Sequence, residues 1–451
     1  MTFETFLDSR VVLWPGDCLE VMPGLESNSI DACVTDGPYG LEFMGKGWDG
    51  ADGFRRSLNG AGAGRDSVFG RTSRRAPEYK ADNLFQEFSH AWACEVFRVL
   101  KPGGHLLSFG GTRTFGRMQV AIEDAGFEIR DTIMWLYGSG FPKSLDVSKA
   151  IDKAAGAERE VIRERYTVKR IKPGATVVAE GAWGKQAVAY TATDSAPATD
   201  EARDWEGFGT ALKPACEPIV LARKLLSESG VAANVLKWRT GSLNIDGCRV
   251  GTSKDVPASA SKTPNNIYGA GMSSLTGGTN NSGFDPNVGR WPANVIHDGS
   301  EEVVGAFEQA GDRPAGGGIK RRNGDKFRQA YGTFNGCDDG WDSYADNGSA
   351  ARFFYTAKAD ADDRLGSKHP TVKPLDLMQY LVRLVTPPGG LVLDPFAGTG
   401  TTAEAAWREG MRAVLIEREA EYQADIRRRM KLCLAGPAER ARESMKMKPE
   451  T

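Results

Sequence analysis

The 451-residue chain is poor in what a disulfide framework or a metal centre would need. Seven cysteines stand at 18, 33, 94, 216, 248, 337 and 433 without one C-x-x-C pair, and only four histidines are spread along the chain. A zinc module is thereby excluded, and the odd, scattered thiols fit a reducing compartment. No run of 18 apolar residues occurs, so no membrane-spanning helix is expected. The amino-terminal MTFETFLDSR carries acids and lacks the apolar segment of a secretory signal. A cytoplasmic protein with no membrane partner is the expectation. An excess of one charge is missing too. The 57 Lys and Arg face 59 Asp and Glu, a net of −2, which excludes a uniformly basic coat and leaves contact with polyanions to local patches.

Glycine and proline, by contrast, are plentiful, at 54 and 22 residues, and predict many loops. Cations gather in three places. Arg65, Arg71, Arg74 and Arg75 share a glycine-rich stretch; Arg159 to Lys172 holds six; Lys320, Arg321, Arg322, Lys326 and Arg328 form the third group.

Apolar runs that close on an acid set the organisation. VVLWPGD (11–17) and SIDACVTD (29–36) read as strands with a helical CLEVMPGL between them. After a Gly/Arg-rich insertion, the helix LFQEFSHAWACEVFRVL stops at KPGG and hands over to a strand HLLSFGG. FGRMQVAIEDAGF and EIRDTIMWLY repeat helix and strand, so the first 140 residues alternate as in a doubly wound sheet. From about 155 to 350 the pattern dissolves into polar Gly/Ser/Asn-rich segments around short ordered pieces, KPACEPIVLARK and RWPANVI. Alternation returns with the helix LDLMQYLVRLV, the strand LVLD, a glycine loop, the helix TTAEAAWREG and the strand RAVLIE.

In LVLDPFAGTGTTAEAA, the spacing of Gly398, Gly400 and Ala403 lets a backbone turn tightly out of a strand and approach a ligand. Asp394 and Phe396 precede the glycines. Glu417 ends the next strand 19 residues after Gly398, where a carboxylate takes two ribose hydroxyls. A nucleoside-containing cofactor follows. A pyrophosphate at this helix start would be opposed by Asp394, whereas S-adenosylmethionine, with its ammonium and sulfonium, suits an acid there.

In DGPY (36–39), an aspartate at the end of a buried strand precedes a turn that exposes a carbonyl and presents an aromatic. Such a pocket suits a planar amine. The exocyclic amine of adenine is a poor nucleophile because its lone pair is delocalised into the ring. Two acceptors, the Asp36 carboxylate and the Gly37 carbonyl, favour a pyramidal nitrogen whose lone pair attacks a methyl sulfonium in line. Pro38 shapes the turn and Tyr39 stacks on the base, with Phe43 and Trp48 as further walls or as core. No metal is required.

These motifs resemble those of the amino-methylating DNA methyltransferases. Their D-P-P-Y signature is similar to DGPY, and their cofactor motif to DPFAGTG at Asp394 to Gly400; the catalytic motif comes first, as in the permuted β-type order. GD at Gly16 and Asp17 resembles the element that meets the cofactor adenine, and HPTVKP at His369 to Pro374 the segment beside the methionine moiety, which adds Asp17 and Lys373 to the cofactor residues. The resemblance implies an α/β, doubly wound Rossmann-like sheet in permuted order with long irregular insertions. It implies a catalytic half over 1–155 and a cofactor half over 351–435, followed by a charged tail, 436–451. Insertions over 156–350 with target recognition are interrupted by a core segment, 211–250. It also implies methylation of adenine N6 in double-stranded DNA, since the first motif position is Asp rather than Ser. N4 of cytosine is the alternative, as is a silent DNA-binding protein, because Gly37 stands where the family has proline and adds backbone freedom. A restriction-modification setting fits the resemblance. The oligomeric state stays open, a dimer included.

Overall fold

The computed structural model describes residues 2–41, 47–60, 81–140, 144–171, 187–251, 289–308, 350–357, 361–367, 369, 371–436, 438–440 and 442. The basic groups at 65–75 and 320–328, Phe43 and most of the charged tail lie outside the described residues. The chain forms two compact units: Met1–Gly138 with Cys216–Thr451, and Ser139–Ala215.

The strands in chain order are β1 (Glu4–Phe6), β2 (Val11–Pro15), β3 (Ile30–Thr35), β4 (Leu100–Phe109), β5 (Glu128–Leu136), β6 (Val161–Ile171), β7 (Ala187–Ser195), β8 (Cys216–Arg223), β9 (Val295–His297), β10 (Tyr355–Thr356), β11 (Leu391–Asp394) and β12 (Arg412–Glu417). The larger unit holds one ten-stranded sheet in the order β1-β2-β12-β11-β3-β4-β8-β5-β9-β10. From β2 to β4 the neighbours are all parallel. β8 is wedged antiparallel between β4 and β5.

Continuous apolar strands arise because both faces of a mostly parallel sheet are covered. Alternate residues feed two cores. Val34, Val392, Ala413 and Leu415 pack with the helices Leu375–Val385 and Thr401–Arg408. Cys33, Leu393, Val414 and Ile416 pack with Phe54, Leu58, Phe85, Phe88 and Trp92 of the helices Ala51–Gly60 and Ala81–Val99. The doubly wound α/β expectation is met.

Topology also locates the crevice. From β11 the chain passes through the helix Thr401–Arg408 to β12 on one side, and from β3 through Ala81–Val99 to β4 on the other. Strand order therefore reverses between β11 and β3, the switch point at which open α/β sheets bind ligands beyond their carboxyl ends. DGPY and DPFAGTG leave those two adjacent strands.

One element differs from expectation. KPGG does not separate helix from strand, because β4 already begins at Leu100. Gly103 at φ +81° and Gly104, whose missing side chain would stand 2.9 Å from the Lys101 carbonyl, let the strand pass through a register shift.

The smaller unit carries the second sheet, the antiparallel ribbon β6–β7, within a stretch whose sequence shows no periodic pattern. The helices Val147–Ala155 and Asp200–Asp204 meet at Asp152. That buried carboxylate accepts from the Ala198 and Thr199 amides, each at 3.0 Å, from the Thr199 hydroxyl at 2.8 Å and from Arg159 at 2.6 Å. Among the described residues no helix is long and apolar enough to cross a membrane.

Candidate active site

Asp36 directly follows β3, and its side chain keeps 18% of its surface exposed. Its Oδ2 accepts from Lys373 Nζ at 2.6 Å, and its Oδ1 from the Tyr39 hydroxyl at 2.8 Å. The same hydroxyl lies 3.1 Å from Glu217 Oε2, and Lys373 Nζ stands 3.2 Å from that oxygen and 3.3 Å from the hydroxyl. Asp36, Tyr39, Lys373 and Glu217 thus form one polar cluster over the Phe109 ring, whose centroid lies 4.9 Å from Nζ. Burial works against the Lys373 charge, but Asp36 and Glu217 outweigh it and hold the ammonium above the ordinary lysine range. Burial first, then the two carboxylates, push the Tyr39 phenol well up, so it stays protonated and donates.

The turn after Asp36 is clamped. Asp49 Oδ1 accepts the Tyr39 and Gly40 amides, both at 2.7 Å, and Oδ2 accepts the Leu41 amide at 3.2 Å. The Tyr39 carbonyl takes the Thr114 hydroxyl at 2.6 Å. Gly40 needs its φ of +69°, and a side chain there would strike the Phe85 ring at 2.8 Å. Pro38 lies within this turn. Among the described residues nothing donates to the Gly37 carbonyl.

The neighbouring turn is built differently. Asp394 ends β11 only 2% exposed, and its acceptors are filled by the Thr35 hydroxyl at 2.7 Å, the Thr402 hydroxyl at 2.6 Å and the Phe396 amide at 3.1 Å. Burial outweighs those bonds and raises its pKa to about 6. Among the described residues no side-chain cation pairs with it, and its hydrogen bonds tie it to β3 and to the glycine turn. Gly398 and Gly400 turn at φ +51° and +79° ahead of the helix Thr401–Arg408. Glu417 closes β12 and binds back to the turn: Oε2 accepts the Gly398 amide and Oε1 the Glu419 amide, each at 2.8 Å. Burial raises its pKa to about 7.

Two contacts join the turns: the Thr35–Asp394 hydrogen bond, and Phe396 against Gly37. A side chain at Gly37 would come within 3.0 Å of the Phe396 ring, which lies edge-on to Trp92 with centroids 5.7 Å apart. Phe396 therefore packs beside the DGPY turn.

The segment His369 to Pro374 reaches both turns. His369 sits at the glycine turn, 3.4 Å from where a Gly398 side chain would begin, between Trp48 (centroids 6.3 Å) and Tyr422 (4.4 Å). Burial lowers its pKa to about 4, so the ring is neutral at neutral pH. Lys373, expected beside the cofactor, pairs with Asp36. Asp17 caps the helix Cys18–Val21 through the Leu19 amide at 3.0 Å and meets Ser57 at 2.5 Å and Arg418 at 3.3 Å. It shares no hydrogen bond with Asp394 or Glu417. Glu217 is the residue that sequence reasoning missed: KPACEPIVLARK reads as a strand, and nothing local marks its acid.

Comparison with known proteins agrees with the geometry. The family model of the DNA methylases, the N6/N4 methyltransferases, matches residues 30–155 and 215–428, more than half of the chain. The chain belongs to this family. It is similar to the Type II methyltransferase M.HindIII of Haemophilus influenzae, 31% identical over 134 residues, which are 27% of this chain and 42% of that protein. With the Type II methyltransferase M.HpaI of Haemophilus parainfluenzae it shares 29% identity over 147 residues, 32% of this chain and 37% of that protein. The matched stretch thus spans about two-fifths of the length of these relatives. Among solved structures, the PvuII DNA methyltransferase (cytosine-N4-specific) aligns at a TM-score of 0.42 and 13% identity over 99% of this chain and 96% of that one. Within the DNA methylase family, Gly37 in place of proline is the departure to explain, and Phe396 is the side chain that faces it.

Proposed function

We propose that this protein is a site-specific DNA methyltransferase that moves a methyl group from S-adenosylmethionine to the exocyclic N6 of adenine in duplex DNA. The carrying observation is the meeting, at the switch point of the sheet, of an accessible Asp36 turn and a glycine turn, joined by Thr35–Asp394 and Gly37–Phe396.

The residues fit the cofactor. At Gly398 the missing Cβ keeps the backbone open beside His369, and each Glu417 oxygen accepts one amide and keeps a lone pair for ribose hydroxyls. Bound there, S-adenosylmethionine supplies an electrophilic methyl on a positively charged sulfur. The chain supplies the rest. Asp36 and the Gly37 carbonyl accept the two amine hydrogens, which localises the nitrogen lone pair for in-line attack. Asp36 is in place to take the proton that the methylated amine would shed. In this structure the Tyr39 hydroxyl holds Asp36 Oδ1. Entry of an unstacked base exchanges that phenol for the amine and frees the ring to stack.

Cations in the sequence VIRERYTVKRI of β6 supply salt-dependent, sequence-blind affinity for phosphates. The reading is tested by modified-base mapping of DNA from a host expressing the chain. N6-methyladenine confined to one short recognition sequence is the expected result. An unmodified genome overturns the reaction, and N4-methylcytosine overturns the choice of base while keeping the chemistry.

A further inference from the structure

We infer that Glu217 and Lys373 are positioning residues for Asp36, and that the three form a charge triad whose one cation holds and aims the motif carboxylate. The inference rests on the reading of Asp36 as the amine's acceptor and adds to it where the charge comes from.

The geometry is that of a closed set. Lys373, 6% exposed, has three N–H groups and three acceptors: Asp36 at 2.6 Å, Glu217 at 3.2 Å and the Tyr39 hydroxyl at 3.3 Å. It enters from the residue before the Pro374 cap of the helix Leu375–Val385. Glu217 enters from the opposite direction of chain. Every parallel strand presents its carboxyl end at this edge, but β8 runs antiparallel and brings its first residues there, with Glu217 paired to Trp135 of β5. The inverted strand therefore delivers an acid to an edge otherwise served by strand ends.

Electrostatics assigns the roles. One cation between two carboxylates leaves the triad at a formal charge of −1, and the Asp36 oxygen on the Tyr39 side remains an acceptor. Without Lys373, two carboxylates would share one phenol, and like charges at that spacing cannot both ionise freely. One of them would take a proton as pH falls through a raised value, and a protonated Asp36 accepts poorly. Without Glu217, the lysine would turn wholly to Asp36 and neutralise it. The other titratable groups facing the triad are Tyr39, Tyr137, His369 and Asp394.

The test compares the full-length protein with Lys373→Met, Glu217→Gln and the double variant. Methyl transfer to duplex DNA is read as a pH–rate profile at saturating cofactor, and thermal unfolding is followed across the same pH range. Lys373→Met should shift the acid limb upward by about one pH unit or more and cut the rate at neutral pH about tenfold. The double variant removes one charge of each sign and returns the triad to −1, so its acid limb should move back toward that of the wild type. A merely structural lysine predicts the reverse, with the double variant no better than Lys373→Met. Unfolding supplies an arm that needs no catalysis. In Lys373→Met a carboxylate with a raised folded pKa contributes stability at low pH that is lost as pH rises, so the variant should fall further below wild type from pH 5 to 8, and the double variant should not. If the wild type itself methylates nothing, the proposed function fails, and the unfolding series still decides the triad: an unchanged pH dependence in Lys373→Met overturns it.

Discussion

Asp36 and Asp394 stand at the ends of adjacent parallel strands, each opening a turn, yet they live in opposite surroundings. Asp36 is accessible and ion-paired, facing a lysine; Asp394 is 2% exposed and meets only hydroxyls and an amide. One carboxylate accepts from an ammonium and a phenol, the other joins β3 to the glycine turn through hydroxyls. The difference teaches that a residue's place in a motif does not fix its task. Its partners do: burial outweighs neutral donors and raises the Asp394 pKa to about 6, whereas Asp36 is held by a buried ammonium.

Substitutions at the two turns should break or sharpen that contrast. Asp36→Ala should have the largest effect, a loss of methyl transfer of about 100- to 1000-fold or more, with cofactor affinity unchanged by equilibrium dialysis. Glu417→Gln should do the opposite, weakening cofactor binding about 10- to 100-fold through the loss of one of two acceptor oxygens, while transfer at saturating cofactor falls much less. The buried partner is read by stability. Since the folded pKa of Asp394 is raised to about 6, its contribution is full below the unfolded carboxylate value and fades as pH rises through 6. Wild type should therefore gain stability relative to Asp394→Asn as pH falls from 7 to 5, measured by urea unfolding at each pH. The smallest effect is expected at the seam between the turns. Gly37→Ala sets a methyl 3.0 Å from the Phe396 ring and should lower the rate a few-fold, with Phe396→Leu in the same chain restoring it.

Much of this was legible in the sequence because parallel strands buried on both faces write themselves as apolar runs. Their ends stand out where the run stops at an acid: Asp36, Asp394 and Glu417 were all found that way. Glu217 was not, since it lies 178 residues from Tyr39 and joins it only through an antiparallel strand inserted into the sheet. Lys373 was found as a candidate, but its pairing with Asp36 was not, because a short segment that touches both turns cannot be divided between them by motif alone. Strand β6 was passed over for a different reason: its charged sequence has neither an apolar face nor a clean alternation, and it is paired only in a ribbon with β7.

The central claim is that an amine held on Asp36 faces a methyl donor held by the glycine turn. It is tested most directly with a bisubstrate compound in which adenine N6 is tethered to the cofactor at the position of the transferred methyl, its affinity measured by calorimetry beside that of the cofactor alone. The account predicts that Asp36→Ala weakens the tethered compound but not the cofactor, and that Glu417→Gln weakens both. Equal affinity of wild type and Asp36→Ala for the tethered compound would contradict it.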